Sequence, residues 1–211
     1  MHSSSSRVIK LAPFLPYLAV LAGLYWLHSA WVAILLYHLG MIALLTGAKQ
    51  WSRARSLISG CALWQVPVMA LGGISAGAIL FFLWPLMGIS ATFGTHLAGL
   101  GLTSTRWPFF FGYFILINPW LEELYWRDYL GNASRFLSWN DLFFAGYHLL
   151  VLAFFVCWYW LLLTLCVLVA VAWFWRQLAR QNGGLCAPML SHLFADAGTI
   201  TVIYFFAVAR T

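Results

Sequence analysis

The sequence predicts an all-α, polytopic membrane protein. Of its 211 residues, 64% are hydrophobic and only 8% are charged, whereas a soluble domain has roughly 45–50% apolar and about 25% charged residues. The apolar residues occur in runs that approach or exceed the roughly 20 residues a helix needs to cross a bilayer core. These observations exclude a soluble enzyme, a disordered chain and a nucleic-acid-binding module. The net charge of +6 is expected to reflect membrane topology, because Lys and Arg concentrate on the cytoplasmic side.

The candidate membrane helices are seven apolar stretches in a single integral membrane domain that covers residues 1–211. They are residues 11–27, 30–47, 57–87, 107–130, 140–157, 158–176 and 187–208. The stretch 57–87 is long for one crossing and short for two, and Pro67 with the pair Gly72–Gly73 offers a place to divide it. The sequence therefore predicts about seven membrane helices, or eight if this stretch crosses twice.

The basic residues favour seven crossings with the N-terminus inside. The inner side then carries Arg7, Lys10, Lys49, Arg53, Arg55, Arg135, Arg176 and Arg180, and the outer side carries Arg106 and Arg210. With eight crossings Arg135, Arg176 and Arg180 move outside, against the positive-inside rule. We then expect residues 57–65 to lie along the interface, and residues 88–106 to form a loop or a partly re-entrant piece.

All five acidic residues lie in the second half of the chain, at Glu122, Glu123, Asp128, Asp141 and Asp196. A carboxylate at the centre of a bilayer costs about 2.5–3.5 kcal/mol on insertion scales, so two adjacent ones indicate a function. We expect Asn118 to cap a helix, with Pro119 in its first turn. Glu123 is then one turn from Arg127 and pairs with it, while Glu122 points about 100° away toward a cavity.

Two further pairs are each spaced by one helical turn. Phe144 and His148 share a face of the stretch 140–157, and His192 and Asp196 share a face of the last helix. Three helices thus present ionisable residues toward a possible common site, as in a catalytic or ion-handling centre. His28, His38 and His96 are expected to be structural. Asp128 and Asp141 are expected at the interface, pairing with Arg135 or capping the helix that begins near 140.

These motifs together resemble those of the CPBP intramembrane proteases, the CAAX protease and bacteriocin-processing family of glutamic endopeptidases. The residues that carry the resemblance are Glu122, Glu123, Arg127, Phe144, His148, His192 and Asp196, with Pro119 and Trp126 in the flanks and the stretch 183–192 leading into the last motif. The resemblance covers about residues 115–200. It divides the chain into N-terminal helices at 1–106 and a catalytic core at 107–211. Asp128 stands where many members have Gly, and Asp196 where many have Asn.

The resemblance implies a hydrolase that cleaves a peptide bond in a membrane-associated substrate. Glu122 is implied as the general base that activates water, with His148 holding the water, and His192 with Asp196 as the stabiliser of the oxyanion. Glu123 and Arg127 complete the catalytic set, and Phe144 and Trp126 are implied in the substrate pocket. An ionised Asp196 accepts hydrogen bonds only, so it is either protonated or orients His192.

Zinc is the alternative to metal-free catalysis, with Glu122, His148 and His192 as ligands. The sequence has no HExxH motif, and Arg127 beside the glutamates disfavours a dication, so glutamic catalysis without a cofactor is favoured. The expected partners are membrane lipid and a membrane-anchored peptide or protein, lipidated or not, and no nucleic acid. The expected location is a bacterial inner membrane.

Two other functions use the same residues. A proton-coupled transporter would use them as a relay, but the acids lie in one half only and no inverted repeat is visible. A non-catalytic scaffold of the same fold would bind a membrane partner, and an intact set of site residues argues against it.

Overall fold

The structure, a computed structural model, describes residues 8–209 as a bundle of helices. No β-strand occurs in that range, so the all-α prediction is confirmed. The helices are α1 (Val8–Trp26, with a 3₁₀ turn at Ala12–Phe14 and a π segment at Leu21–Trp26), α2 (Ala30–Gly47), α3 (Gln65–Leu83), α4 (Phe93–Gly99), α5 (Trp107–Glu122), α6 (Trp139–Leu152), α7 (Trp158–Asn182) and α8 (Cys186–Tyr204).

Five helical segments are long and apolar enough to cross a membrane, which supports an integral membrane protein. They are Val8–Trp26, Ala30–Gly47, Gln65–Leu86, Trp158–Asn182 and Cys186–Val208. Two of the charges used in the topology argument, Arg7 and Arg210, lie outside the described residues.

The stretch 57–87 contains one α-helix, α3, so the division at Gly72–Gly73 does not occur. Pro67 lies in the first turn of α3, where a missing N–H removes no intrahelical hydrogen bond. Before α3, a 3₁₀ segment covers Gln50–Ile58 and the chain then runs without helix to Trp64. The segment 88–106 is a loop with the short helix α4 inside it.

Helix α3 packs backbone to backbone against α8, which carries the third motif. Gly73 and Gly77 lie one turn apart on the contacting face, and a Cβ atom on Gly77 would lie 2.5 Å from the backbone of Gly198. A Cβ atom on Gly73 would collide with the carbonyl oxygen of Ser191. Small residues at helix interfaces allow this close approach in membranes, so α3 fixes the position of α8.

Three tyrosines tie α1 to the second half of the chain. The hydroxyls of Tyr17 and Tyr25 donate to carbonyl oxygens in α6, at Phe143 (3.0 Å) and Leu150 (2.8 Å). In the opposite direction, the Tyr125 hydroxyl donates to the carbonyl of Ala12 at 2.6 Å. The bonds of Tyr17 and Tyr25 hold α1 along α6. The bond of Tyr125 ties α1 to the helix that carries the glutamates.

Two ion pairs differ from the expected interfacial arrangement. Asp141 caps α6 as expected, by accepting a 2.9 Å hydrogen bond from the backbone N–H of Ser138, but it pairs with Arg176 at 2.6 Å rather than with Arg135, and both side chains are buried. Arg176 is therefore not a free charge at the membrane surface. Asp128 pairs with Arg53 at 2.9 Å, where the 3₁₀ segment meets the end of the helix that carries the glutamates.

Candidate active site

The two glutamates lie where α5 changes its helical form. Glu122 is the last residue of α5, and a π segment, Glu123–Tyr129, continues directly from it. The expected helix start at Asn118 is wrong, because α5 begins at Trp107 and Pro119 lies inside it. Pro119 removes one backbone hydrogen bond without ending the helix, and the ladder changes to a π pattern within four residues. The side chain of Asn118 is therefore free to enter the site.

Glu122 is fully buried, and its two oxygens have different partners. Oε1 accepts hydrogen bonds from the hydroxyls of Tyr37, at 2.7 Å, and Tyr147. Oε2 lies 3.3 Å from His192 Nε2 and 3.5 Å from the amide nitrogen of Asn118. One oxygen is tightly bound, and the other faces the third motif.

Glu123 is also fully buried and joins two of the motifs. Its Oε2 lies 3.5 Å from Arg127 Nε, which confirms the expected pair one turn apart. Its Oε1 lies 2.9 Å from His192 Nδ1. Because an ionised carboxylate only accepts hydrogen bonds, Nδ1 carries a proton. Nε2 of His192 then faces Glu122 and Asp196, whose Oδ1 is 3.6 Å away.

Arg127 is held by aromatic faces more than by hydrogen bonds. Its guanidinium carbon lies 4.2 Å from the centre of the Phe144 ring and 5.0 Å from that of Trp175. Its two terminal nitrogens have no hydrogen-bond partner within residues 8–209. A buried cation over aromatic rings gains about 2 kcal/mol or more. Trp175 also stacks on the ring of His192, at 4.5 Å between centres.

His148 and Asp196 complete the expected set. Nδ1 of His148 donates to the carbonyl of Phe144 at 2.8 Å, which leaves Nε2 as the acceptor nitrogen. Its ring lies 5.0 Å from that of Phe144, as the spacing predicted, and close enough to Glu122 to interact electrostatically. Asp196 accepts a 3.0 Å hydrogen bond from Asn118 and is the most exposed carboxylate of the cluster, at 16%.

The two expected pocket residues are buried. Trp126 and Phe144 are each 2% exposed. The indole nitrogen of Trp126 donates to the Tyr37 hydroxyl at 2.8 Å, and the ring of Phe144 packs against Arg127. Each side chain therefore contacts a residue that binds one of the glutamates, and a role in binding substrate stays a prediction.

Each alternative zinc ligand uses one of its two donor atoms for a protein partner. Oε1 of Glu122 accepts from two tyrosines, His192 donates to Glu123, and His148 donates to a backbone carbonyl. Across residues 8–209, no three His, Cys, Asp or Glu side chains are arranged to hold a metal ion. The preference for catalysis without a metal stays a prediction.

Residues 103–198 match the family model described as Type II CAAX prenyl endopeptidase Rce1-like. The resemblance to the CPBP proteases is thereby confirmed. The match supports a CAAX-type protease, and this Rce1-like region contains the residues of all three motifs. No curated protein and no solved structure matches the chain.

The sequence analysis missed several residues that contact the motifs. Tyr147 precedes His148 directly, so its position in the motif was the available signal. Asn118 is predicted from the sequence only as the cap of a helix. Tyr37 and His38 lie on α2, outside the Rce1-like region. His38 is buried, and its ring nitrogens contact Asn118 at 3.1 Å and Tyr113 at 2.8 Å, so it adjoins the site.

Proposed function

We propose that this protein is a glutamic-type intramembrane endopeptidase. The observation that carries the proposal is the contact of His192 with both glutamates, at 2.9 Å and 3.3 Å, inside the Rce1-like region. An ion pair between Glu123 and Arg127 does not require a second carboxylate beside it. Burying Glu122 as well is unfavourable unless it has a function.

Glu122 acts as the general base in this proposal. Water donates one hydrogen bond to Glu122 and the other to Nε2 of His148, which is free to accept because Nδ1 donates to the Phe144 carbonyl. The oxygen of the water then attacks the scissile carbonyl as Glu122 removes the first proton. Glu122 afterwards gives this proton to the departing amine, so the carboxylate is restored. General base catalysis of this kind contributes roughly 10²–10⁴-fold.

His192, protonated on both ring nitrogens in this proposal, stabilises the oxyanion through its Nε2–H, and Asp196 orients it. Glu123 fixes the His192 ring through Nδ1, so that Nε2 points into the cluster. Asp196 is itself held by Asn118, which supports an orienting role for this carboxylate rather than direct donation to the oxyanion. Donors fixed before the reaction stabilise developing charge most effectively.

The substrate in this proposal is a membrane-anchored peptide or protein, with prenylated CAAX proteins as the class suggested by the family description. The bundle crosses the membrane seven times, and the site lies toward the cytoplasmic half. The pair Arg53–Asp128 supports this placement, because it joins the basic 3₁₀ segment to the helix end next to the glutamates.

The test is proteolysis in liposomes with membrane-anchored peptides, each made with and without a prenyl group. Glu122→Gln should lower cleavage by at least 10²-fold, and His192→Ala should do the same by removing the oxyanion donor. Asp128→Asn is the matched control, since it changes a carboxylate outside the cluster and should keep activity. A chelator arm with zinc added back tests the metal alternative.

Equal cleavage by the wild type and Glu122→Gln, with both proteins folded, would refute the assignment. Loss of cleavage with chelator and recovery with zinc would favour metal catalysis. A carrier or a scaffold would cleave none of the peptides.

A further inference from the structure

Tyr37 lies in the unmatched N-terminal half and contacts the proposed catalytic base. It is on α2, is 4% exposed, and its hydroxyl lies between Glu122 Oε1 at 2.7 Å and Trp126 Nε1 at 2.8 Å. Residues 103–198 carry all the motifs, so this tyrosine comes from outside the region that the family model covers.

The donors and acceptors of this chain of hydrogen bonds are fixed by chemistry. An indole nitrogen can only donate, so the Tyr37 oxygen accepts from Trp126 and its single proton goes to Glu122. Tyr147 donates to the same Glu122 oxygen. A carboxylate oxygen has about two lone-pair sites, so Oε1 has none left for a water molecule.

The second oxygen of Glu122 is held less tightly. Its contacts with His192 (3.3 Å) and Asn118 (3.5 Å) are longer than a good charged hydrogen bond of about 2.7–2.9 Å. His192 belongs to the third motif, and Asn118 also binds Asp196 of that motif. Oε2 is therefore the oxygen that can still accept a proton from water.

We propose that Tyr37 is a positioning residue that holds Oε1 of Glu122, so that Oε2 is the basic oxygen of the site. The inference rests on the proposed function of Glu122 and deepens it. The residue that touches water is Glu122, and Tyr37 acts through it.

His38, the residue after Tyr37 on α2, supports the same assignment through the second oxygen of Glu122. His38 donates through Nε2 to the side-chain oxygen of Asn118 at 3.1 Å, since that oxygen only accepts. Asn118 in turn directs its amide nitrogen at Glu122 Oε2 and Asp196. Two adjacent residues of α2 thus control the two oxygens of one carboxylate, one directly and one through Asn118.

The test compares Tyr37→Phe with Tyr125→Phe. Both changes remove one hydroxyl from a buried tyrosine, but the Tyr125 hydroxyl bonds to the carbonyl of Ala12 rather than to Glu122. The first readout needs no substrate. The infrared difference between each protein and the same protein with Glu122→Gln isolates the carboxyl bands of Glu122. These bands should move in Tyr37→Phe and stay in place in Tyr125→Phe.

The second readout is the cleavage rate on a peptide that the wild type cleaves. Tyr37→Phe should lower kcat roughly 10- to 100-fold with KM unchanged, as expected for loss of one hydrogen bond to a charged group. Tyr125→Phe should keep kcat. The double variant with Tyr147→Phe should lose more than the product of the single losses, because each single variant keeps one hydroxyl donor to Oε1 and the double variant keeps neither.

The outcomes separate this inference from the proposed function. A wild type that cleaves no peptide overturns the proposed function. An active wild type with normal kcat in Tyr37→Phe, or with unmoved Glu122 bands, overturns the role of Tyr37 alone. If Tyr37→Phe does not fold, Tyr147→Phe replaces it in both readouts, because it removes the other donor to the same oxygen.

Discussion

Arg176 should be among the buried residues whose substitution lowers the free energy of unfolding most, although it touches no catalytic group. Its guanidinium binds both oxygens of Asp141, at 2.9 Å and 2.6 Å, and the carbonyl oxygens of Ser134 and Phe136 at 2.5 Å and 2.7 Å. It is 3% exposed. These bonds fix the loop before α6 and the first turn of α6, the helix that carries Tyr147 and His148.

The expected magnitude follows from which groups lose their partners. Arg176→Gln leaves Asp141 as a buried carboxylate without its cation, which costs about 3–5 kcal/mol in other buried pairs. Arg53→Gln is the comparison variant, because the Arg53 side chain is 64% exposed in its pair with Asp128, whose side chain is 6% exposed. Solvent screens the exposed arginine, so this substitution should cost about 1 kcal/mol.

The assay is reversible unfolding in mixed micelles with increasing SDS, followed by circular dichroism. Arg176→Gln should lower the free energy of unfolding by at least about 3 kcal/mol, and adding Asp141→Asn should restore about 2 kcal/mol of that loss, because no buried charge then stands alone. Asn keeps the cap of α6. The reasoning is refuted if Arg176→Gln is no more destabilising than Arg53→Gln, or if the second change adds to the loss.

Two further predictions concern packing around the site. Gly77→Leu should destabilise the protein by at least about 2 kcal/mol and lower cleavage, because its side chain collides with Gly198 on α8. Gly72→Leu, where no neighbouring atom lies within 4 Å, should change neither the stability nor the cleavage. SDS unfolding and the peptide assay measure both variants. Equal effects of the two substitutions would contradict the packing argument. Phe144→Leu should cost about 2 kcal/mol or more, because the Arg127 guanidinium loses the ring beneath it. The same loss in a background with Arg127→Met would show that the ring acts through packing alone.

The motif residues of the second half could be predicted from the sequence for a physical reason. Acidic residues are rare in apolar helices, so Glu122 indicates a function by itself, whereas His148 and His192 indicate one only together with it and in their order along the chain. The pairing of Glu123 with Arg127 follows from helical spacing alone.

The errors came from local rules that the tertiary structure overrides. Asn118 before Pro119 is a good helix start in isolation, but a proline inside a membrane helix is tolerated when neighbours satisfy the freed backbone groups. The partner of Asp141 could not be predicted from spacing, because Arg176 is 35 residues away in the sequence. No sequence spacing links two such positions on different helices.

Tyr37 was not predictable for a different reason. A tyrosine in an apolar helix is ordinary, since its ring suits a membrane protein wherever its hydroxyl has a partner. Its partner, Glu122, is 85 residues away. Only the packing of α2 against α5 brings the two together, and single-sequence patterns carry no information on that contact.

The hydrogen bonds from α1 and α2 mean that the Rce1-like region is not an exchangeable unit. A chimera joined at residue 103 would replace Tyr37, which donates to Glu122, and Tyr17 and Tyr25, which hold α6 in place. Such a hybrid would keep every motif and still present its glutamate with one donor missing. Its N-terminal helices would have to be chosen for inward-facing hydroxyls, and not for hydrophobicity alone.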